Sequence, residues 1–94
     1  MPIRGFANKA TKRIFDGYFS MKLPPAIQRR ALKRLDAIDA AVELGDLAVL
    51  PGLRLEALKG DRKGQHSVRI NNQWRICFTW TPAGPEDVEI VDYH

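Results

Sequence analysis

Apolar positions along the chain recur first at helical spacing and then, beyond Pro51 and Gly52, in alternation. Asn8 can cap an N-terminus, and after it Ile14, Phe15, Tyr18 and Phe19 form an apolar stripe, which predicts a helix from Lys9 that ends between Gly17 and Ser20. A second helix is predicted from Pro24 and Pro25, tolerated in a first turn, along the stripe Ile27, Ala31, Leu35, Ile38 and Val42, with Gly45 as its stop. Arg29, Arg30, Lys33, Arg34, Asp36, Asp39 and Glu43 lie mostly off that stripe and offset one another. The expectation is a neutral, salt-bridged outer face on a helix that supports a sheet.

Four alternating runs follow, separated by Gly-, Asn- or Pro-containing turns: Leu53 to Leu58, His66 to Ile70, Trp74 to Trp80 and Val88 to Asp92. Ile3 to Phe6 can add a short strand at the start. Two helices followed by an antiparallel meander make an α+β domain, a single one over residues 1–94 at this length.

The central hairpin can be registered from the pattern alone. Trp74, Ile76, Phe78 and Trp80 share a face that must meet the core with Val68 and Ile70, leaving Arg75, Cys77 and Thr79 on the other. A three-residue loop, Asn71 to Gln73, satisfies both strands by pairing Ile70 with Trp74 and Arg69 with Arg75. Like charges directly opposite are destabilising, so two arginines side by side on an open face are expected to hold an anion between them. His66 shares parity with Val68 and Ile70, which favours a partly buried, hydrogen-bonded histidine over a catalytic one.

Charge sharpens this reading. Fifteen Lys and Arg against eleven Asp and Glu give a modest net charge of +4, but the cations gather in residues 1–22 and 54–75 and the tail from Thr79 is acidic. That polarisation favours a polyanionic partner on one surface. Cys77 is the one cysteine, which excludes an internal disulfide or a cysteine-rich metal site, and the two histidines and scattered carboxylates show no metal-ligand spacing. With no apolar run long enough for a signal peptide or membrane span, a reducing cytoplasm is expected. The chain closes on Asp92, Tyr93 and His94, an acid, a phenol and an imidazole delivered by a terminal strand, a combination suited to chemistry on phosphate esters.

The block Leu55 to Ile70, with Leu58-Lys59-Gly60-Asp61-Arg62 at its centre, then Trp74 to Phe78, then the closing Asp92-Tyr93-His94, resembles the HigB toxins of the RelE/ParE superfamily. An early phenylalanine and the second helix around Arg34 to Ala41 extend the resemblance over nearly the whole chain. It implies a microbial RNase-like fold of two helices on a curved sheet and a ribosome-dependent mRNA endonuclease without cofactor. It also implies a cognate HigA-like helix-turn-helix antitoxin, through which the pair meets operator DNA. Carried over, Lys59, Arg75, Asp92, Tyr93 and His94 fall on family active-site positions. Some relatives place a catalytic histidine where this chain has Glu56, which can serve as a base or leave activity weaker.

Cutting RNA in this way requires removing a 2′-hydroxyl proton, stabilising a pentacovalent phosphate and protonating the leaving 5′-oxygen. Arg75 and Lys59 can supply the cationic clamp. Tyr93 or His94 can move protons, with Asp92 orienting them. Arg62, Lys63 and Arg69, with Lys9, Lys12 and Arg13, are the expected RNA or ribosome contacts; His66 and Glu56 are held in reserve. A ParE-like gyrase toxin or a non-catalytic nucleic-acid-binding module are the alternatives, and the closing triplet with Lys59 and Arg75 argues against both.

Overall fold

The computed structural model describes residues 1–93. Local signals shape its first helix, α1 (Lys9–Phe15), where the Asn8 side chain caps the start by accepting from the Thr11 N–H at 2.9 Å. The other end closes as a Schellman turn. Gly17 takes φ +91°, its N–H donates to the Ile14 carbonyl, and the Tyr18 N–H donates to the Arg13 carbonyl. The helix is therefore shorter than its apolar spacing predicts, and Tyr18 and Phe19, expected on the stripe, stand exposed beyond it.

The second helix, α2 (Pro25–Ala40), starts on a proline and buries Ile27, Ala31, Leu35 and Ile38. Gly45 is not its stop. The backbone turns extended at Ala41, Val42 is exposed, and the Asp46 carboxylate accepts from the N–H groups of Val42 and Glu43 to organise a short helix α3 (Gly45–Ala48) that buries Leu47. Those two donors hold the Asp46 carboxyl below the usual carboxylate range.

The outer face of α2 also departs from expectation, since among the described residues none of its charges enters an ion pair. Arg30 and Arg34 instead donate to the Ile70 and Arg69 carbonyls, each at 3.2 Å, tying the helix to the end of a strand. Burial, then the neighbouring Arg30 and Arg69 charges, pull the Arg34 guanidinium below its ordinary value.

Four strands, β1 (Glu56–Ala57), β2 (His66–Arg69), β3 (Trp74–Thr81) and β4 (Gly84–Asp92), lie in sequence order with every neighbour antiparallel, and a 3-10 turn (Gly60–Arg62) links the first two. β1 is shorter than the alternating run because Arg54, at φ +47°, breaks the extended backbone. The run from Ile3 to Phe6 forms a single parallel bridge, Phe6 to Val88, rather than a strand. With hydrogen bonds from Arg4 and Ala7 to β4 carbonyls, this segment covers the sheet's outer edge.

The hairpin register is as the pattern requires, with Arg69 opposite Arg75 and the Ile70 N–H on the Trp74 carbonyl. Between β3 and β4 the register steps from Thr79–Glu86 to Cys77–Glu89, so Asp87 and Val88 together face Phe78, and Asp87 takes φ +52°. This bulge turns Val88 and Ile90 into the core with Ile76, and Glu89, Val91 and Tyr93 to the other face.

One buried hydroxyl joins the layers. The Thr11 side chain accepts from the Ile90 N–H at 3.0 Å, satisfying a donor on the edge of β4. Thr11→Val keeps the shape and orphans that N–H, so we expect a loss of about 1–3 kcal/mol, read as a lower urea midpoint at unchanged m-value. A wild-type midpoint would show that this bond contributes nothing net.

Candidate active site

Pairing across the sheet aligns Glu56, Ser67, Cys77 and Glu89 in one transverse row on the face away from the core, and Arg69, Arg75 and Val91 in the next. The middle of this face is closed rather than open, since Ser67 and Cys77 are fully buried. Arg62 reaches from the 3-10 turn to Glu89 at 3.2 Å and to Gln65 at 2.9 Å, and Gln65 donates to Thr79 at 3.5 Å. Burial above all pushes the Cys77 thiol up, with Arg62 and Arg75 opposing and Glu89 adding to the shift. A thiol so placed packs and does not react.

Arg75 is the anchored cation of the site. Its Nε donates to the Ser67 hydroxyl at 2.6 Å, its Nη2 donates to the Arg54 and Ser67 carbonyls at 2.8 and 3.3 Å, and the Glu56 carboxylate lies 3.9 Å away. Nη1 has no hydrogen-bond partner among the described residues. The guanidinium carbon sits 5.8 Å from the centre of the Tyr93 ring, within cation–π range.

Arg75 thus leans over β2 towards β1, whereas Arg69 turns to the Asn72 side chain. Register partners they are, but each guanidinium has its own protein acceptors. The like-charge pair is relieved by divergence, so the register by itself does not call for an anion between them.

Asp92 and Tyr93 are held in place. The Tyr93 N–H donates to the Gln73 carbonyl at 2.6 Å, and the Gln73 amide donates to Asp92 at 3.1 Å. Tyr93 is 36% exposed, with its ring against Arg75. Asp92 is the register partner of Trp74, so alternation sets its side chain towards the opposite face from Tyr93. His94, expected to act with Tyr93, lies outside the described residues.

The other expected residues are scattered. Lys59 is exposed at the boundary of the 3-10 turn, and Lys63 is exposed at its other end. Neither is joined by a hydrogen bond or ion pair to Arg75 or Tyr93 among the described residues. Lys9, Lys12 and Arg13 belong to α1, which packs its Ile14 into the core on the far side of the sheet. There Lys12 pairs with Asp16 at 2.7 Å, and Arg13 donates to the Phe19 carbonyl at 2.7 Å beneath the Tyr18 ring.

His66 faces Phe78 on the core side. Its Nδ1 is buried with no partner among the described residues, contrary to the satisfied histidine expected, because its strand neighbours offer only apolar surface there. Sequence reasoning missed Ser67, Gln73 and Glu89, which position the site. Their signal was parity: each is a small or polar residue on the non-core face, or in the loop, beside an assigned charge. No three His, Cys, Asp or Glu side chains among the described residues gather as a metal-ligand set.

The model for the family described as "RelE-like toxin of type II toxin-antitoxin system HigB" matches residues 4–94. The chain belongs to that family. It is 34% identical over 92 residues to the protein named Endoribonuclease HigB of Proteus vulgaris, covering 98% of this chain and 99% of that one. It is also 40% identical over 58 residues to Toxin HigB-1 of Vibrio cholerae serotype O1, covering 62% of this chain and 61% of that toxin. The three helices and the antiparallel four-stranded sheet fit a RelE-like toxin. Membership in a type II toxin–antitoxin family implies an antitoxin as partner. No helix among the described residues is long and apolar enough to cross a membrane.

Proposed function

We propose that this toxin is an endoribonuclease that cuts mRNA on the ribosome and is restrained by a HigA-like helix-turn-helix antitoxin in the cytoplasm. The observation that carries the reading is the Arg75–Tyr93 pair, a guanidinium fixed by Ser67 and the Arg54 carbonyl and set against a phenol at 5.8 Å. The name of the Proteus vulgaris relative supports the same activity.

The chemistry follows from side chains alone. A 2′-oxygen loses its proton and attacks the adjacent phosphorus, the bond to the 5′-oxygen breaks, and that oxygen takes up a proton. Arg75 faces the phosphate with Nη1 and stabilises the charge that develops on its oxygens. Its other donors are occupied by protein acceptors, so the clamp is oriented before substrate arrives. Tyr93 and His94 move the protons. Glu56, within 3.9 Å of Arg75, is a second base in the place of the histidine of some relatives.

Asp92 and Gln73 hold the strand end that carries the phenol. Lys59, Lys63 and Arg69 contact flanking phosphates, and Lys12 on α1, remote from Arg75, contacts ribosomal RNA. With so few reacting groups, the ribosome supplies what the protein lacks by holding the 2′-hydroxyl in line.

Purified toxin is to be incubated with naked mRNA and with the same mRNA on 70S ribosomes. Cutting is expected only on ribosomes, and Tyr93→Phe should slow it by about a hundredfold. Equal cutting of both substrates would refute ribosome dependence. Absence of cutting in either, with inhibition of gyrase supercoiling in a parallel assay, would replace the nuclease reading with a gyrase toxin.

A further inference from the structure

Three of the seven large apolar side chains exposed among the described residues stand together just past α1, where Tyr18 is 62%, Phe19 55% and Met21 93% exposed. Phe19, Met21 and Leu23 line a groove of about 890 Å³ along α1, and Phe19 also walls a second hollow of about 200 Å³ that runs towards Leu32 on α2. Lys9, Arg13 and Lys22 rim the larger groove, and no carboxylate lines it.

The backbone beneath these side chains is held from several sides. The Schellman turn at Gly17 fixes its start, and Arg13 donates to the Phe19 carbonyl at 2.7 Å. Buried Gln28 donates to the Ser20 and Leu23 carbonyls at 2.7 and 3.0 Å and accepts from the Ser20 N–H at 3.1 Å. Met21 is thus presented to water on a loop pinned on both flanks. A backbone held in this way loses little further freedom when covered, which favours a binding surface over a mobile loop.

We propose that this groove seats an acidic, apolar segment of the antitoxin. The partner's existence rests on the family membership above and not on the nuclease reading. Its chemistry comes from the groove: apolar knobs fill the space around Phe19 and Met21, and Asp or Glu side chains meet Lys9, Arg13 and Lys22. RNA phosphates would answer the cations but leave the apolar floor uncovered. A second copy of this chain would bring like-charged rims together.

The test uses calorimetry with the purified antitoxin encoded beside this toxin's gene. Met21→Glu is expected to raise Kd by about thirtyfold, as for a residue at the centre of an interface. Lys22→Glu should raise it about tenfold and flatten its salt dependence. Val49→Glu, at a side chain 80% exposed elsewhere on the surface, should leave Kd unchanged. Circular dichroism and urea midpoints of the variants should match the wild type, since Met21 and Lys22 lie at the surface.

Wild-type Kd in both groove variants overturns the proposal. If that result comes with weaker co-sedimentation with ribosomes, the groove belongs to ribosomal RNA; if it comes with loss of a wild-type dimer, it belongs to a second copy. Cleavage of translated mRNA is measured in parallel without antitoxin. A wild type that binds antitoxin through the groove but cuts nothing keeps this inference and removes the nuclease, and the converse result does the reverse.

Discussion

Arg75→Ala should lower cleavage of ribosome-bound mRNA by about 10²–10³-fold, the loss typical of removing one preorganised donor from a developing oxyanion. Three features make Arg75 the residue to test. Its Nε and Nη2 are engaged by Ser67 and the Arg54 carbonyl, which fixes the plane of the guanidinium, and its side chain is only 11% exposed although one nitrogen remains available. It is also the cation that lies against the Tyr93 ring.

Arg75→Lys should not restore the rate. An ammonium ion is a point charge on a flexible stem and cannot hold Ser67, the Arg54 carbonyl and a phosphate in one plane. Antitoxin affinity should be unchanged in both variants, because the groove on α1 shares no residue with this site. A rate within a few-fold of wild type for Arg75→Ala would remove it from the reaction, and the proposed site with it.

Gly84→Ala should destabilise the fold by about 3 kcal/mol, equivalent to a fall in Tm of roughly 12–24 °C for a domain of this size. Two penalties coincide there. Gly84 takes φ +128°, a conformation that side chains rarely adopt, and an added Cβ would lie 2.6 Å from the Pro2 carbonyl oxygen. That oxygen cannot swing away freely, because Arg4 donates to the Pro85 carbonyl at 2.7 Å and keeps the N-terminal segment against β4. Gly64→Ala is the control: its φ of +95° carries the conformational strain, but an added Cβ would meet nothing within 4 Å. The difference between the two melting temperatures measures the close approach of the N-terminus, and equal losses would show that backbone strain accounts for both.

The meander, the hairpin register at Asn71 to Gln73, the Asn8 cap and the candidate status of Arg75 and Tyr93 were all legible in the sequence. Their determinants are local: alternation has a period of two, turn residues set loop length, and a cap lies within four residues of the groups it satisfies. The resemblance of the central block and the closing triplet to HigB toxins was likewise a property of residues in order.

What the sequence could not decide were the choices made by distant neighbours. Helical spacing past Gly17 pointed to a longer α1, but a Schellman turn ended it and left Phe19 and Met21 outside. The charges on α2 offset one another on paper, yet Arg30 and Arg34 found strand carbonyls instead of carboxylates. Arg69 and Arg75 were placed opposite each other by register, while their side chains were parted by Asn72 on one side and Ser67 on the other. Only the folded sheet could bring Ser67 and the Arg54 carbonyl under Arg75, and only the bulge at Asp87 could turn Tyr93 to the same face. Local propensity writes the elements, but a long polar side chain takes whichever acceptor tertiary packing leaves within reach, because leaving it unpaired inside the fold costs more than any preference its neighbours in sequence can express.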